Sequence, residues 1–366
     1  MQWQVNNRQF YPNHLTRKSL KVLFVASGNS RFYDIAPFIK SQGEALLEEG
    51  VEVSYFSVRG KGAMHYIHNA LQLRKFLKKN DFDLIHAHYS LCGWVAVLAW
   101  PGLPVVLSLM GDDARGSFIS REQRSFRSRL LLLLTRSVQP FVDAIIYKAP
   151  NMLGAIHRRK IAYLVPNGVR LDQFQLMGEE NRRSLGMRPD KKYVLFLGNP
   201  KDLNKNIALV RQAIGLLNRP DVELVNIFDA DHDTVVKYMN AADVFTLCSF
   251  SEGSPNVVKE AMTCNCPVVA TDVGDVAWVL GDTPGCFVSD HNPENFARQL
   301  SGALAFSESA GRTQGRKRIL ELGLDSVSIA QKLNGIYRDT LGGPPGNRVR
   351  AGTTAPQIGG QLQAVD

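Results

Sequence analysis

The chain has 366 residues, of which 45% are hydrophobic and 21% are charged, a composition typical of a globular protein with about two domains. The formal net charge of +9 is uneven, because residues 1–165 carry 22 lysines and arginines against 11 acidic residues. This basic half predicts an anionic partner, either a phosphate-bearing substrate or an anionic membrane surface. Nucleic acid is not the expected partner, since the sequence shows no zinc-ligand spacing, no RNP-type aromatic motif and no basic recognition helix.

The N-terminal stretch MQWQVNNRQFYPNHLTRKSLKVLF lacks the charged-then-apolar order of a secretory leader. Five cysteines without a CxxC pair favour reduced thiols, with Cys264 and Cys266 as core residues. We therefore expect a cytoplasmic protein. The most apolar stretch, residues 91–110, contains Pro101 and Pro104, which would break a spanning helix, so it predicts a helix, a turn and a buried strand.

From Leu20 onward, short β-rich apolar segments alternate with amphipathic helical segments. The apolar segments of the first half are LKVLFVAS, VEVSYFSV, DLIHAHY, PVVLSLM and DAIIYKA. Continuous apolar strands that alternate with helices indicate a parallel sheet covered on both faces. The first half of the chain therefore predicts a Rossmann-like domain.

A Pro-Asn-Gly turn signal in YLVPNGVRLDQF ends this series, and a second series comes after it with KYVLFLGN, VELVNIF, DVFTLCS, CPVVATD and CFVSD. The predicted fold class is α/β, with two Rossmann-like doubly wound domains that face each other across a cleft. The last residues are rich in Gly, Pro and Gln and predict disorder. The predicted division is an N-terminal extension (1–19), a first domain (20–165), a linker (166–180), a second domain (181–324), a C-terminal helix (325–342) and a disordered tail (343–366).

The segment SEGSPNVVKEAM, residues 251–262, predicts the start of a helix that runs from Pro255 to about Cys264. Pro255 is expected at the first helical position, with Ser254 as the N-cap. The helical period predicts two faces: a core face of Val257, Val258, Ala261 and Met262, and an opposite face of Asn256, Lys259, Glu260 and Thr263.

The amino end of this helix is a candidate anion site. Exposed amides after Gly253 and the positive end of the helix dipole suit a phosphate. Glu260 lies about 7 Å farther along the axis than Pro255, a reach suited to the hydroxyls of a ribose attached to a pyrophosphate. The residues alone leave open a simpler alternative, a capped helix on the solvent surface.

The segment EGSPNVVKE resembles the Glu, seven residues, Glu signature of retaining glycosyltransferases of the GT-B fold, family 4, and EAMTCNCPVVATDVGDV resembles the strand and turn that come after the signature in that family. Three further segments are similar in order and spacing: VPNGVRLDQF, AADVFTLCS and DFDLIHAHYSLCGWVA. The final helix resembles the one that crosses back to the first domain in this fold. The resemblance covers roughly residues 20–340 and implies an acceptor-binding first domain and a nucleotide-sugar-binding second domain.

Carried over residue by residue, the resemblance implies that Glu260 holds the ribose hydroxyls and Glu252 contacts the donor sugar. The expected donor contacts around them are Gly253, Ser254, Pro255, Asn256 and Val257. In FLGNPKDLNKNIAL, Lys205 matches the lysine that neutralises the diphosphate leaving group. Asn199 stands where the family has an arginine, and Lys201 is a candidate for the missing charge.

A second departure lies in VVLSLMGDDARGS, where Met110 precedes Gly111 in place of the family's histidine. Gly111, Asp112 and Asp113 are the expected acceptor-binding residues beside it, with a solvated loop as the alternative for the two aspartates. Donor contacts are also expected at Gly28 and Asn29, after the first strand, where a plain turn is an equal alternative.

No metal or cofactor is expected, because the fold's chemistry needs neither and no DxD motif comes after a strand beside the donor site. His86 and His88 are expected to point to opposite faces of one strand and to be structural residues rather than a metal pair. Asp231 and Asp233, in DADHD, are expected to cap the next helix.

The segment REQRSFRSRLLLLLTRS places Arg121, Arg124, Arg127 and Arg129 before five leucines. Such an order is seen in helices that lie on membranes, and it would suit a lipid-linked acceptor and a peripheral location on the cytoplasmic membrane. The alternative is an ordinary domain helix with residues 130–134 in the core.

The function implied by the resemblance is a retaining glycosyltransferase (EC 2.4) that moves a sugar from a nucleotide-diphosphate sugar to a glycan or lipid-linked saccharide in surface polysaccharide or glycoconjugate biosynthesis. A non-catalytic relative that binds nucleotide sugar or activates a partner transferase is the alternative, because of Met110 and Asn199. A dehydrogenase is disfavoured, since no GxGxxG comes after any strand.

Overall fold

The computed structural model describes residues 19–29, 33–116 and 126–342. The predictions for the N-terminal extension up to residue 18, for the tail after 342, and for Arg121 and Arg124 lie outside these ranges, as does the side chain of Arg127. None of the described helices has both the length and the apolar character needed to cross a bilayer.

Two parallel sheets form the framework. The first has the strand order β2-β1-β3-β4-β5-β6. Its strands are β1 (Leu20–Ser27), β2 (Val51–Val58), β3 (Leu84–His88), β4 (Val105–Ser108), β5 (Ala144–Tyr147) and β6 (Ala162–Leu164). β6 is a three-residue edge strand that the apolar pattern did not predict.

The second sheet has the strand order β11-β10-β9-β7-β8. Its strands are β7 (Lys192–Leu197), β8 (Val222–Ile227), β9 (Val244–Leu247), β10 (Val268–Thr271) and β11 (Cys286–Ser289). The predicted apolar segments of both halves each contain one of the ten longer strands, so the predicted α/β class with two doubly wound sheets is confirmed.

Helices connect successive strands and cover both faces of each sheet. In the first half they are α1 (Pro37–Glu48), α2 (Ala63–Leu77), α3 (Ser90–Leu98), α4 (Asp112–Arg115) and α5 (Phe126–Val138). In the second half they are α6 (Glu180–Ser184), α7 (Ile207–Leu217), α8 (His232–Ala241), α9 (Asn256–Thr263), α10 (Val276–Leu280), α11 (Pro293–Ala310), α12 (Gly315–Glu321) and α13 (Ser326–Gly342). Short 3₁₀ helices cover Gln139–Phe141, Pro150–Ala155, Arg159–Ile161 and Leu203–Lys205.

Several local predictions are confirmed. The apolar stretch 91–110 is the helix α3, a turn and the strand β4. Cys264 and Cys266 are fully buried and free. Of the two predicted caps, Asp231 caps α8, because its carboxylate accepts a hydrogen bond from the backbone N–H of Thr234 at 2.8 Å, whereas Asp233 lies within the first turn of the helix.

The chain crosses between the two sheets at two adjacent places. The backbone N–H of Val169 donates to the carbonyl of Leu324, and that of Ser326 donates to the carbonyl of Val169, both at 2.9 Å. A Cβ on Gly168 would lie 2.9 Å from the Cα of Ser326, so only glycine fits this crossing. α13 then packs against α1, and the Tyr337 hydroxyl lies 2.6 Å from His86 Nδ1 in the first sheet.

Candidate functional site

A cleft of about 290 Å³ lies where the loops after β4 and β9 approach each other. A Cβ added to Gly253 would lie 3.3 Å from Gly111 Cα and 2.6 Å from the methyl carbon of Met152. The two loops can approach so closely because Gly253 has no side chain, and Gly111 has a φ of 137°, which side chains rarely allow. The cleft is lined by Tyr89, Met110, Gly111, Asp112, Arg115, Asn204, Ser251, Glu252 and Gly253.

Glu252 and Lys205 form an ion pair in this region. Lys205 Nζ lies 2.6 Å from Glu252 Oε1, and the hydroxyl of Ser249 donates to the same oxygen at 2.8 Å. Both charged side chains are partly exposed. The two residues that the resemblance assigns to the reaction are therefore adjacent, although they lie 47 positions apart in the chain.

Arg115 is a cleft residue that sequence reasoning missed. Its Nη1 donates to the backbone carbonyl of Glu252 at 2.9 Å, across the boundary between the two sheets. The signal for Arg115 in the sequence was its position four residues after Gly111. In the structure it is the last residue of α4. A guanidinium from the first domain thus lies beside the signature loop of the second.

Of the four expected acceptor-binding residues, Met110, Gly111 and Asp112 line the cleft, and Asp113 does not. The carboxylate of Asp113 is fully buried and accepts hydrogen bonds from the backbone N–H groups of Ser90, Met110 and Gly111. Burial raises its pKa to about 6, although these hydrogen bonds oppose the shift. Asp113 is therefore neither a solvated loop residue nor a cleft residue, and it fixes the shape of the loop.

The helix after the signature loop begins one residue later than predicted. α9 covers Asn256–Thr263, with Pro255 at the N-cap rather than at the first helical position. Ser254 is not the cap, because its hydroxyl donates to Asp275 Oδ2 at 2.6 Å instead. The Ser254 oxygen accepts a hydrogen bond from Lys259 Nζ, so this ammonium takes the place that an amide of the helix end would have at an N-cap.

The predicted division of α9 into a core face and an opposite face is wrong at two positions. Val258, Ala261 and Met262 are buried as expected. Lys259 and Thr263, placed on the opposite face, are also buried. The helix is covered on more than one side because α8 and α12 both pack against it, which a single amphipathic pattern does not predict.

Glu260, on the same helix, is partly exposed. Burial raises its pKa to about 7, and the positive charge of Lys259 opposes this shift. Beside it, Asn256 Oδ1 is buried and accepts no hydrogen bond from any described residue. Val257 is partly buried against the core.

Of the expected donor-site residues, Glu252 and Gly253 line the cleft, whereas Lys205, Ser254, Pro255, Asn256, Val257, Glu260, Gly28, Asn29 and Asn199 do not. Asn29 joins the loops after β1 and β2, since its side chain bonds both the N–H and the carbonyl of Gly60. Gly28 lies against Ser57. Asn199 Oδ1 accepts from the backbone N–H of Lys201 at 2.9 Å, and the Lys201 side chain is exposed.

His86 and His88 point to the same face of β3, not to opposite faces, because side chains two positions apart on a strand share a face. Their rings stack with centroids 4.2 Å apart. His86 contacts the hydroxyls of Tyr337 and Ser108, at 2.6 and 2.7 Å. Burial lowers the pKa of both histidines well below the ordinary value, so both are neutral. Among the described residues, no group of three or more metal-ligating side chains is found.

Lys148, the residue after β5, is fully buried, and no described residue accepts a hydrogen bond from its Nζ. Burial lowers its pKa to about 7, and the charge of Lys259 adds to the effect. Lys148 in turn contributes to the lowered pKa of His86 and His88. Lys148 thus lies close to basic groups from both halves of the chain, His86 and His88 on β3 and Lys259 on α9.

Two family profiles match the chain. Residues 212–305 match the profile described as Glycosyl transferases group 1, and residues 13–173 match Glycosyltransferase Family 4. A D-inositol 3-phosphate glycosyltransferase of Paenarthrobacter aurescens is 31% identical in an alignment that covers 72% of this chain and 82% of that relative. The putative teichuronic acid biosynthesis glycosyltransferase TuaC of Bacillus subtilis is 28% identical over 62% of this chain and 63% of its own length. The chain thus spans less than two thirds of some of its curated relatives.

Solved structures share the fold. Sucrose-phosphate synthase of Thermosynechococcus elongatus superimposes with a TM-score of 0.72 at 18% identity, covering 87% of this chain and 98% of that one. Anabaena Alr3699/HepE in complex with UDP-glucose gives a TM-score of 0.66 at 15% identity, covering 86% and 98%. At such identities the likeness establishes the fold alone.

The burial of Lys148 predicts a pH-dependent stability. Between pH 7 and the ordinary lysine pKa of 10.5, the unfolded chain holds a proton that the folded protein has released, so stability rises with pH across this window. Lys148→Met removes the cost of burying the charge. We expect the variant to raise Tm by several degrees at pH 7 and by progressively less toward pH 10, as measured by calorimetry. The exposed Lys75→Met is the control, and a Tm difference for Lys148→Met that does not change with pH would contradict the prediction.

Proposed function

The chain belongs to the glycosyltransferases of group 1 and family 4, and we propose that it moves a sugar from a nucleoside-diphosphate sugar to a hydroxyl of a glycan or lipid-linked saccharide. The observation that carries the proposal is that Glu252 lines the interdomain cleft, pairs with Lys205 and lies in the loop that leads into the amino end of α9. The complex of Anabaena Alr3699/HepE with UDP-glucose supports the donor class. The Bacillus subtilis relative is named for teichuronic acid biosynthesis, which supports an acceptor that belongs to surface polysaccharide biosynthesis.

In the proposed donor site, the diphosphate lies at the amino end of α9, where backbone N–H groups and the helix dipole favour negative charge. Glu260 accepts hydrogen bonds from the ribose hydroxyls. Glu252 contacts the hydroxyls of the sugar, with Gly253, Ser254, Asn256 and Val257 around it. Pro255 contributes no hydrogen bond because it has no N–H.

We propose a retaining transfer. The acceptor oxygen forms a bond to the anomeric carbon on the face from which the diphosphate departs, and the acceptor proton passes to the leaving phosphate oxygen. Lys205 and the amides of α9 stabilise the charge that develops on the leaving group. Met110, Gly111 and Asp112 form the acceptor side, and no bound metal or cofactor is invoked.

Donor binding is tested with a panel of UDP, GDP, ADP and CDP. A ligand that binds only the folded protein raises Tm by mass action, so we expect one diphosphate to raise the Tm of the wild type. Because the pKa of Glu260 is about 7 and the ionised carboxylate is the better acceptor, affinity should fall below pH 7 by up to about tenfold per pH unit. Glu260→Gln should bind more weakly at pH 8 and lose this pH dependence. Absence of any stabilisation by the panel counts against the proposed function.

The role of Lys205 is tested by transfer kinetics. Loss of one charge-stabilising contact typically costs about 3 kcal/mol of barrier, or roughly a hundredfold in rate, so Lys205→Ala should lower kcat by at least that factor while the protein remains folded. Lys317→Ala, in which an exposed lysine of the same domain is removed, should keep its activity. Near-normal turnover of Lys205→Ala would show that Lys205 does not stabilise the leaving group. A wild type that binds a diphosphate but neither transfers nor hydrolyses any donor favours the non-catalytic alternative suggested by Met110 and Asn199.

We also propose that the first domain rests on an anionic membrane surface. α3 packs against both α2 and α5, so the three helices lie side by side. The five-leucine run is not a core segment as one alternative had it, since Leu130 is 56% and Leu133 62% exposed. The neighbouring helix α2 exposes Met64, Ile67 and Leu71 along one side. Exposed basic side chains lie on α2 and α5 and directly after α2, at Arg74, Lys75, Lys78, Lys79, Arg129 and Arg136.

Vesicle flotation tests the membrane proposal. Wild-type protein should float with vesicles that contain phosphatidylglycerol and remain behind with phosphatidylcholine alone, because binding needs both apolar contact and charge attraction. The double variant Leu130→Asp, Leu133→Asp should lose this binding. Leu320→Asp changes an equally exposed leucine of the second domain and should bind like the wild type. Failure of the wild type to bind anionic vesicles would overturn the membrane proposal.

A further inference from the structure

Lys259 is a lysine on α9 that the proposed reaction does not use. Its side chain is 1% exposed. The ammonium donates to the hydroxyl of Ser254 and, at 3.2 Å, to the carbonyl of Asn167. Its third partner is Asp275, whose Oδ2 lies 3.5 Å away. The ammonium thus has two hydrogen-bond acceptors, and the carboxylate of Asp275 balances its charge.

These partners belong to three separate segments of the chain. Ser254 lies in the signature loop, Asp275 lies in the loop after β10, and Asn167 lies in the segment that joins the two sheets. Ser254 also donates directly to Asp275 at 2.6 Å. One ammonium group therefore connects the loop that precedes α9 to a neighbouring loop and to the interdomain connection.

Backbone contacts show how closely these loops are held. A Cβ on Gly274 would lie 2.2 Å from the carbonyl oxygen of Gly253 and 3.2 Å from Pro255 Cδ. The loop after β10 thus covers one side of residues 253–255, while Gly111 and Met152 of the first domain lie on the other side of Gly253. The signature loop is confined between two surfaces.

Burying a charged pair is costly, and an apolar side chain of similar volume often gives equal or greater stability. Burial lowers the pKa of Lys259, while Asp275 opposes the shift. An apolar residue at this position would fill the space but could not donate to Ser254 and Asn167 or pair with Asp275. What the lysine adds over an apolar residue is the fixed geometry of the segments that carry these partners.

We infer that Lys259 is a positioning residue, which holds the backbone of residues 253–255 in the conformation that receives the donor diphosphate and ties that conformation to the interdomain segment at Asn167. The inference rests on the proposed donor site. Lys259 does not contact the donor. It acts through Ser254 and Asp275 on the loop amides.

The experiment compares Lys259→Met with the double variant Lys259→Met, Asp275→Asn. The single variant leaves a buried carboxylate without its cation, so its Tm should fall and its nucleoside diphosphate binding should weaken. The double variant removes both charges and should recover Tm to within a few degrees of the wild type. It should nevertheless bind the UDP, GDP, ADP or CDP preferred by the wild type at least tenfold more weakly, with a raised donor KM.

Hydrogen exchange measures the positioning without any ligand. Peptides that span residues 251–262 should exchange faster in both Lys259 variants than in the wild type, whereas Lys317→Met, which removes an exposed lysine, should match the wild type in exchange, affinity and Tm. A double variant with recovered Tm, wild-type diphosphate affinity and wild-type exchange would overturn the inference. If the wild type itself binds no diphosphate, the proposed donor site fails, and the exchange comparison still decides whether Lys259 positions the loop.

Discussion

The close approach of two loop backbones, at Gly111 and Gly253, is the constraint on which the candidate site depends. A Cβ on Gly253 would lie only 3.3 Å from Gly111 Cα, so any side chain at position 253 would press the two loops apart. Because the carboxyl ends of parallel strands carry the ligand-binding loops of such sheets, this contact brings both sets of loops to one cleft. Residues from β4 of the first sheet and β9 of the second can then act on the same molecule.

Charges around that contact are arranged in connected pairs rather than as isolated groups. Lys205 is neutralised by Glu252, and Lys259 by Asp275. Lys148 is the exception, and burial shifts its pKa toward neutrality instead. Lys205 therefore already has a partner before a diphosphate binds. The charge stabilisation gained on binding is the difference between a phosphate and the carboxylate of Glu252 as the acceptor for Lys205.

The sequence predicted the two sheets well because strands buried on both faces have continuous apolar sequences, and each of the ten longer strands lies within a predicted segment. The helix after Gly253 was also predicted from local sequence, one residue too early. Lys259 was misplaced because a helical period identifies one buried face, whereas α9 is covered by α8, α12 and the interdomain segment together. Arg115 was missed because its role depends on a neighbour, Glu252, that is 137 positions away. The error at His86 and His88 was of another kind, since a strand period of two already places both on one face.

Arg115 bears on the two departures from the family pattern. The second domain has Asn199 where the resemblance implies an arginine, and the side chain of Asn199 accepts from the backbone N–H of Lys201. The first domain, however, brings the guanidinium of Arg115 to the carbonyl of Glu252 at 2.9 Å. A cation is thus present at the cleft, but it belongs to the opposite domain. The distance of the Arg115 guanidinium from the signature loop is fixed by how the two domains are held together. The electrostatics of this cleft therefore depend on the interdomain contacts that Gly111, Gly253 and Lys259 make.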